Sequence, residues 1–138
     1  MNAGTAAVYV PDVCIAEAFK VLAKKYYVDK VFTSSFAFKN ARDRLSSFVR
    51  NTSKQLSLAS RIVSVHDIST SRDVVIAVDR FFEPIFKNKL SVSVIDLILL
   101  ATAKYLIDFF DVQPLPIVTL DVPLWKASKK IADIPSAF

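Results

Sequence analysis

Three carboxylates are placed for metal chemistry. Glu17 lies in the first turns of a helix that follows a short strand at 8–10, Asp96 in the first turn of a long helix, and Asp121 directly after an apolar, β-type run at 117–120. Open α/β sheets gather ligands outside the carboxyl ends of their strands, so acids at such junctions can converge on one pocket. Clustered carboxylate oxygens favour Mg²⁺ or Mn²⁺ over zinc. An ion held there can activate water and offset the charge of a scissile phosphate. Each acid also has a purely structural reading. Ser93-Val94-Ile95-Asp96 has the spacing of a capping box. Asp121 can cap a helix that begins near Pro123. Glu17 can be a solvated helix residue. The residues alone leave both readings open.

The rest of the composition narrows the chemistry. A single glycine, Gly4, excludes a phosphate-binding P-loop, a dinucleotide fingerprint and a nucleophile elbow, each of which needs two or more. One cysteine, Cys14, excludes an intrachain disulfide and any multi-cysteine metal site. Cys14 reads as a small buried hydrophobe, since no triad is available to activate it. One histidine, His66, excludes a His-rich metal site and reads as a strand-end or loop residue.

Charge is unevenly spread. The net charge is +5, but residues 20–61 hold ten Lys/Arg against Asp29 and Asp43, a local balance of +8 that leaves −3 for the remainder. A basic arm beside acids suits a polyanion next to a metal; a solvated helical arm fits the same pattern. Phe32, Phe36, Phe38 and Phe48 interleave with the basic residues. They could stack on bases, but packing between helices or across a dimer is the favoured expectation. Trp125 reads as core or interface.

The elements that must position these residues follow from periodicity. A strand at 8–10 stops at Pro11, and Asp12 is expected to cap a helix over 13–27. Ser34 and Ser35 precede a second helical stretch to about 53, with a short helix expected at 54–59. Residues 61–65 read as a strand. Ser69 to Ser71 offer caps for a helix over 72–82, which Glu83-Pro84 should interrupt. Ser91 or Ser93 opens a long helix to about 110; 111–116 is a loop, 117–120 a buried-type strand, 123–132 a helix, and 133–138 a candidate edge strand. Strands alternating with helices predict one α/β domain over 1–138 with a mostly parallel sheet. The most apolar stretch, 92–110, carries Asp96, Lys104 and Asp108, which argues against a membrane span. With no signal-peptide pattern and a free cysteine, a cytoplasmic location is expected.

Three segments, in order, resemble the PIN domain family. Val10-Pro11-Asp12-Val13-Cys14-Ile15-Ala16-Glu17 with Leu22 is similar to the family's "vP…E…L" segment. The run Leu90 to Ala103, through Asp96, is similar to its "D…aA.A" helix, and Ile117-Val118-Thr119-Leu120-Asp121 to its "vT.D" strand end. The resemblance implies a Rossmann-like α/β/α sandwich. It implies a Mg²⁺- or Mn²⁺-dependent endoribonuclease that hydrolyses RNA phosphodiester bonds, such as a VapC-like toxin held by an antitoxin protein. Glu17, Asp96 and Asp121 would be the metal ligands and catalytic acids, and Thr119 the hydroxyl that supports the pocket. A homodimer is also implied, in keeping with the high apolar content.

There is one departure. The family's first acid sits at the end of a first strand, and none of the residues before Val10 is acidic. The expectation is therefore an N-terminally incomplete PIN-like domain, shortened relative to a longer protein. A strand donated by a partner chain and a degenerate module that binds RNA or protein without cutting are the alternatives.

Overall fold

A computed structural model of the chain describes residues 6–51, 54–58, 61–112, 115, 117–119 and 121–131, with the side chains of 54–58 and 61 left aside. It shows an α/β protein whose contacts divide it into two compact units, Met1–Ser69 and Thr70–Phe138.

The first unit holds the sheet. Its elements are β1 (Ala6–Pro11), α1 (Asp12–Tyr27), α2 (Ser35–Arg50), β2 (Lys54–Leu58) and β3 (Arg61–Ile68). The strand order is β1-β3-β2. β1 runs parallel to β3 with Tyr9 opposite His66, and β2 runs antiparallel to it with Leu56 opposite Val63. A parallel pair needs a long crossover, which α1, α2 and β2 supply. The described sheet is thus mixed, one parallel pair and one antiparallel, where a mostly parallel sheet was expected.

Two local expectations change here. Pro11, extended at φ −64° and ψ 147°, takes the cap position of α1, and among the described residues no side chain caps the helix. Asp12 becomes the first helical residue, where its charge still favours the positive end of the helix dipole. The stretch 54–59 is not a short helix: Lys54–Leu58 is strand β2. Leucines at 56 and 58 give it a two-residue period, and β3 beside it supplies the hydrogen-bond partners a strand requires.

α2 behaves as its sequence demands. Ser34 accepts a hydrogen bond from the Ala37 N–H at 3.1 Å and caps it. Phe38 is the buried residue of α2, and it stacks flat on Tyr26 of α1 at 4.4 Å between ring centroids. Phe32 and Tyr27 meet the same ring edge-on. This aromatic cluster joins the two helices. The turn between them uses Lys30 in the left-handed region, φ 55°.

The second unit is helical: α3 (Arg72–Ala77), α4 (Asp79–Lys87), α5 (Val94–Phe110) and α6 (Val122–Lys130). Ser71 caps α3 through the Val74 N–H. The expected single helix at 72–82 breaks at Val78, and Pro84 lies inside α4 instead of ending a helix. The break is a tightened turn: Val78 N–H reaches the Val75 carbonyl and Phe81 N–H the Val78 carbonyl, both three residues back.

The core of this unit gathers Phe81 and Ile85 of α4, Leu97, Leu100 and Ala101 of α5, Leu124 and Ala127 of α6, and Ile117. α5 is apolar on most of its circumference, so it is stable only when covered on several sides. Thr102, buried in α5, satisfies its hydroxyl by donating to the Ile98 carbonyl at 2.8 Å. Two helix ends again use left-handed residues that are not glycine, Lys89 after α4 and Asp111 after α5.

The buried-type strand expected at 117–120 does not form among the described residues. Ile117 makes an isolated bridge and is buried, but Val118 is 86% exposed and neither it nor Thr119 is in a strand. The candidate edge strand at 133–138 lies outside the described residues, as do Gln113, Pro114, Pro116 and Leu120 of the neighbouring segment. Among the described residues, no helix is long and apolar enough to cross a membrane.

Candidate functional site

Asp96 is held by the start of α5. Ser93, the N-cap, accepts a hydrogen bond from the Asp96 N–H at 3.1 Å, and its own hydroxyl donates to Asp96 Oδ2 at 2.6 Å. This is the serine-to-acid reciprocity of the capping spacing, closed between the two side chains. Only Oδ2 is engaged. Oδ1 has no hydrogen-bond partner among the described residues.

Asp121 is the N-cap of α6. Its Oδ1 accepts from the Leu124 N–H at 2.8 Å, and Leu124 is fully buried. Pro123, inside the first turn, needs no N–H bond there. Upstream, Thr119 Oγ1 accepts from the Asp121 N–H at 3.0 Å. Thr119 therefore orients the backbone of Asp121, and the buried leucine fixes its carboxylate. Oδ2 has no hydrogen-bond partner among the described residues.

Glu17 lies in the first unit, on α1, and both carboxylate oxygens sit 3.5 Å from Lys20 Nζ. The Lys20 side chain is 74% exposed, so the pair is a weak surface contact that a stronger cation can displace. Thus Asp96 and Asp121 share the second unit, while Glu17 belongs to the first. Among the described residues no group of three or more His, Cys, Asp or Glu is gathered as a metal cage.

Whether a hard cation suits these side chains is decided by the oxygens left over. One oxygen of each aspartate is engaged, Asp96 Oδ2 by the Ser93 hydroxyl and Asp121 Oδ1 by the Leu124 N–H. Carboxylate oxygens are the donors Mg²⁺ and Mn²⁺ prefer. The chemistry of these donors suits such an ion.

The other residues singled out in the sequence fall into place. His66 lies inside β3, not at its end or in a loop, and stacks on Tyr9 of β1 at 5.3 Å. Cys14 is half-buried on α1. Trp125 is 44% exposed, with Lys129 Nζ 5.8 Å from its ring centroid. Phe32 and Phe38 are packing residues, whereas Phe36 projects into solvent.

A cleft between α3 and α5 was not anticipated from the sequence. Val74, Ala77, Arg80, Lys104, Tyr105 and Asp108 line it, and it holds about 50 Å³. Lys104 pairs with Asp108 at 3.4 Å across one turn of α5. The four-residue spacing of that pair was its signal. Substrate pockets run to roughly 300–1,000 Å³, so this cleft has room for solvent only.

No protein family, no curated protein and no solved structure matches the chain.

Proposed function

We propose that the chain is a PIN-like, metal-dependent endoribonuclease. What supports the reading is the state of its two helix-start aspartates. Asp96 and Asp121 are each locked by one carboxylate oxygen and open at the other. Asp96 and Asp121 would hold Mg²⁺ or Mn²⁺. When bound, the ion supplies an activated water and neutralises charge on the phosphodiester. The chain's own residues do the positioning. Ser93 holds the Asp96 carboxylate in one rotamer, and Thr119 fixes the backbone from which Asp121 projects. On this reading the partners are RNA, an antitoxin protein and a second copy of the chain, and the protein works in the cytoplasm.

A second reading has its own observation: all three acids already have structural work, Asp96 bonded to its N-cap serine, Asp121 as a cap and Glu17 in a surface pair. It describes a PIN-like module that binds RNA or a protein partner without cutting.

The test is cleavage of a mixed RNA pool with Mn²⁺. Asp121→Asn retains the capping oxygen, so the fold is preserved. Loss of activity should be at least about 10–100-fold, the cost of disturbing even the groups behind metal ligands. EDTA should abolish cleavage. RNA binding without any cleavage would establish the second reading.

A further inference from the structure

We propose that the outer face of α2 is a docking surface for single-stranded RNA, with Phe36 as its stacking platform. The inference rests on the RNA-directed reading above and deepens it by naming where and how the substrate is held.

The 3.6-residue repeat sorts α2 into two faces. Phe38, Ala41 and Leu45 point inward, and Phe38 is buried against Tyr26. Phe36 lies on the opposite face, in the first turn of the helix, and is 77% exposed. Core packing therefore does not explain a phenyl ring there. Lys39 follows within one turn, and Arg44 and Arg50 lie about 12 and about 21 Å further along the helix axis at 1.5 Å per residue; all three are exposed. The single acid of α2, Asp43, pairs with Arg42 at 3.9 Å. Among the described residues, Lys39, Arg44 and Arg50 have no carboxylate partner. By contrast, the lysines of α1 are matched: Lys20 to Glu17, and Lys24 and Lys25 to Asp29.

An exposed ring at the head of a row of unmatched cations has the composition of a single-strand platform. The cations track phosphates, and the ring takes an unpaired base. A duplex hides its base faces within the stack, so it would engage only the cations. An acidic protein surface would satisfy the cations but would leave the ring without a planar partner.

The experiment uses the full chain in EDTA, so that binding is read without cleavage. The probe is a fluorescein-labelled oligouridylate of about 12 nucleotides, a length within the usual site size, followed by anisotropy. Phe36→Ala should weaken binding by about 5- to 100-fold, the range of base–aromatic stacking, while Phe36→Tyr stays near wild type. Replacing Lys39 and Arg44 together by Ala should reduce the slope of log K against log salt by about 1.4, or 0.7 for each phosphate contact. Wild-type affinity in Phe36→Ala would overturn the inference, as would equally tight binding of the same sequence as a duplex. A fall in solution mass with RNA binding unchanged would make this face a contact between copies and also overturn it. The two proposals fail separately. Phe36-dependent binding without Mn²⁺-dependent cleavage removes the nuclease and leaves the surface; cleavage indifferent to Phe36 does the reverse.

Discussion

The two compact units solve burial differently. In the second, four helices share one core, and Leu100, Leu124 and Ala127 are completely covered. In the first, the described buried residues are Pro11, Phe38 and Val63, and α1 has none at all despite an apolar stripe through Ile15, Phe19 and Leu22. The first unit relies instead on strand pairing and on rings stacked between α1 and α2. The difference teaches where rigidity is available. The open oxygens of Asp96 and Asp121 project from a unit whose helix starts are pinned by buried neighbours. The cationic face of α2 belongs to the unit with the thinner core, where contacts made through long side chains tolerate movement.

The contrast between the units meets its strongest test in the closed core. Leu100→Ala should destabilise by about 2–5 kcal/mol, as large-to-small changes in such cores do. Leu22→Ala, half-buried on α1, should cost only about 1 kcal/mol. Urea unfolding measures both, and equal costs would erase the contrast.

A smaller effect bears on the candidate site. Asp121→Ala removes the cap of α6 and should cost about 0.5–2 kcal/mol, whereas Asp121→Asn should be nearly neutral in stability. The two variants should be equally inactive on RNA. Stability and cleavage measured side by side thus separate the capping oxygen from the open one.

The smallest effect is a titration. Lys87, one turn along α4, donates a hydrogen bond to Glu83 and holds its carboxyl below the usual carboxylate range. A lowered folded value means the pair's contribution is complete above the unfolded value and fades as pH falls through the lowered one. The pair is fully exposed, so the effect belongs in an NMR titration of Glu83. Lys87→Ala should return that group to its ordinary range.

Much of this architecture is legible in the residues, for a physical reason. A helix satisfies its own hydrogen bonds, so its signals are local: Ser34, Ser93 and Asp121 announce the starts of α2, α5 and α6, and each acts there as a cap. A strand depends on a neighbour that its own sequence does not contain. Residues 117–119 are β-branched yet stay outside a strand, while the modest run of β2 becomes one because β3 lies beside it. The break at Val78 has no proline or glycine to mark it; it reflects the packing of Val78 and Phe81 into the core. For the site, the positions of the acids at helix starts are local and readable. Which oxygen is engaged depends on the rotamer that Ser93 or the Leu124 N–H selects, and composition does not encode that. Likewise, helical spacing puts Phe36 and Phe38 on opposite faces, but which of the two rings is covered is decided by the placement of Tyr26.

The left-handed residues that end three elements carry a thermal consequence. Lys30, Lys89 and Asp111 occupy a region that disfavours a side chain by roughly 1–2 kcal/mol. Glycine would relieve that strain, yet the chain has only one, Gly4. Glycine also loosens the denatured ensemble, raising the backbone entropy surrendered on folding. A chain almost without it begins from a stiffer random coil, so part of its resistance to heat resides in the disordered state and not in any contact of the native one.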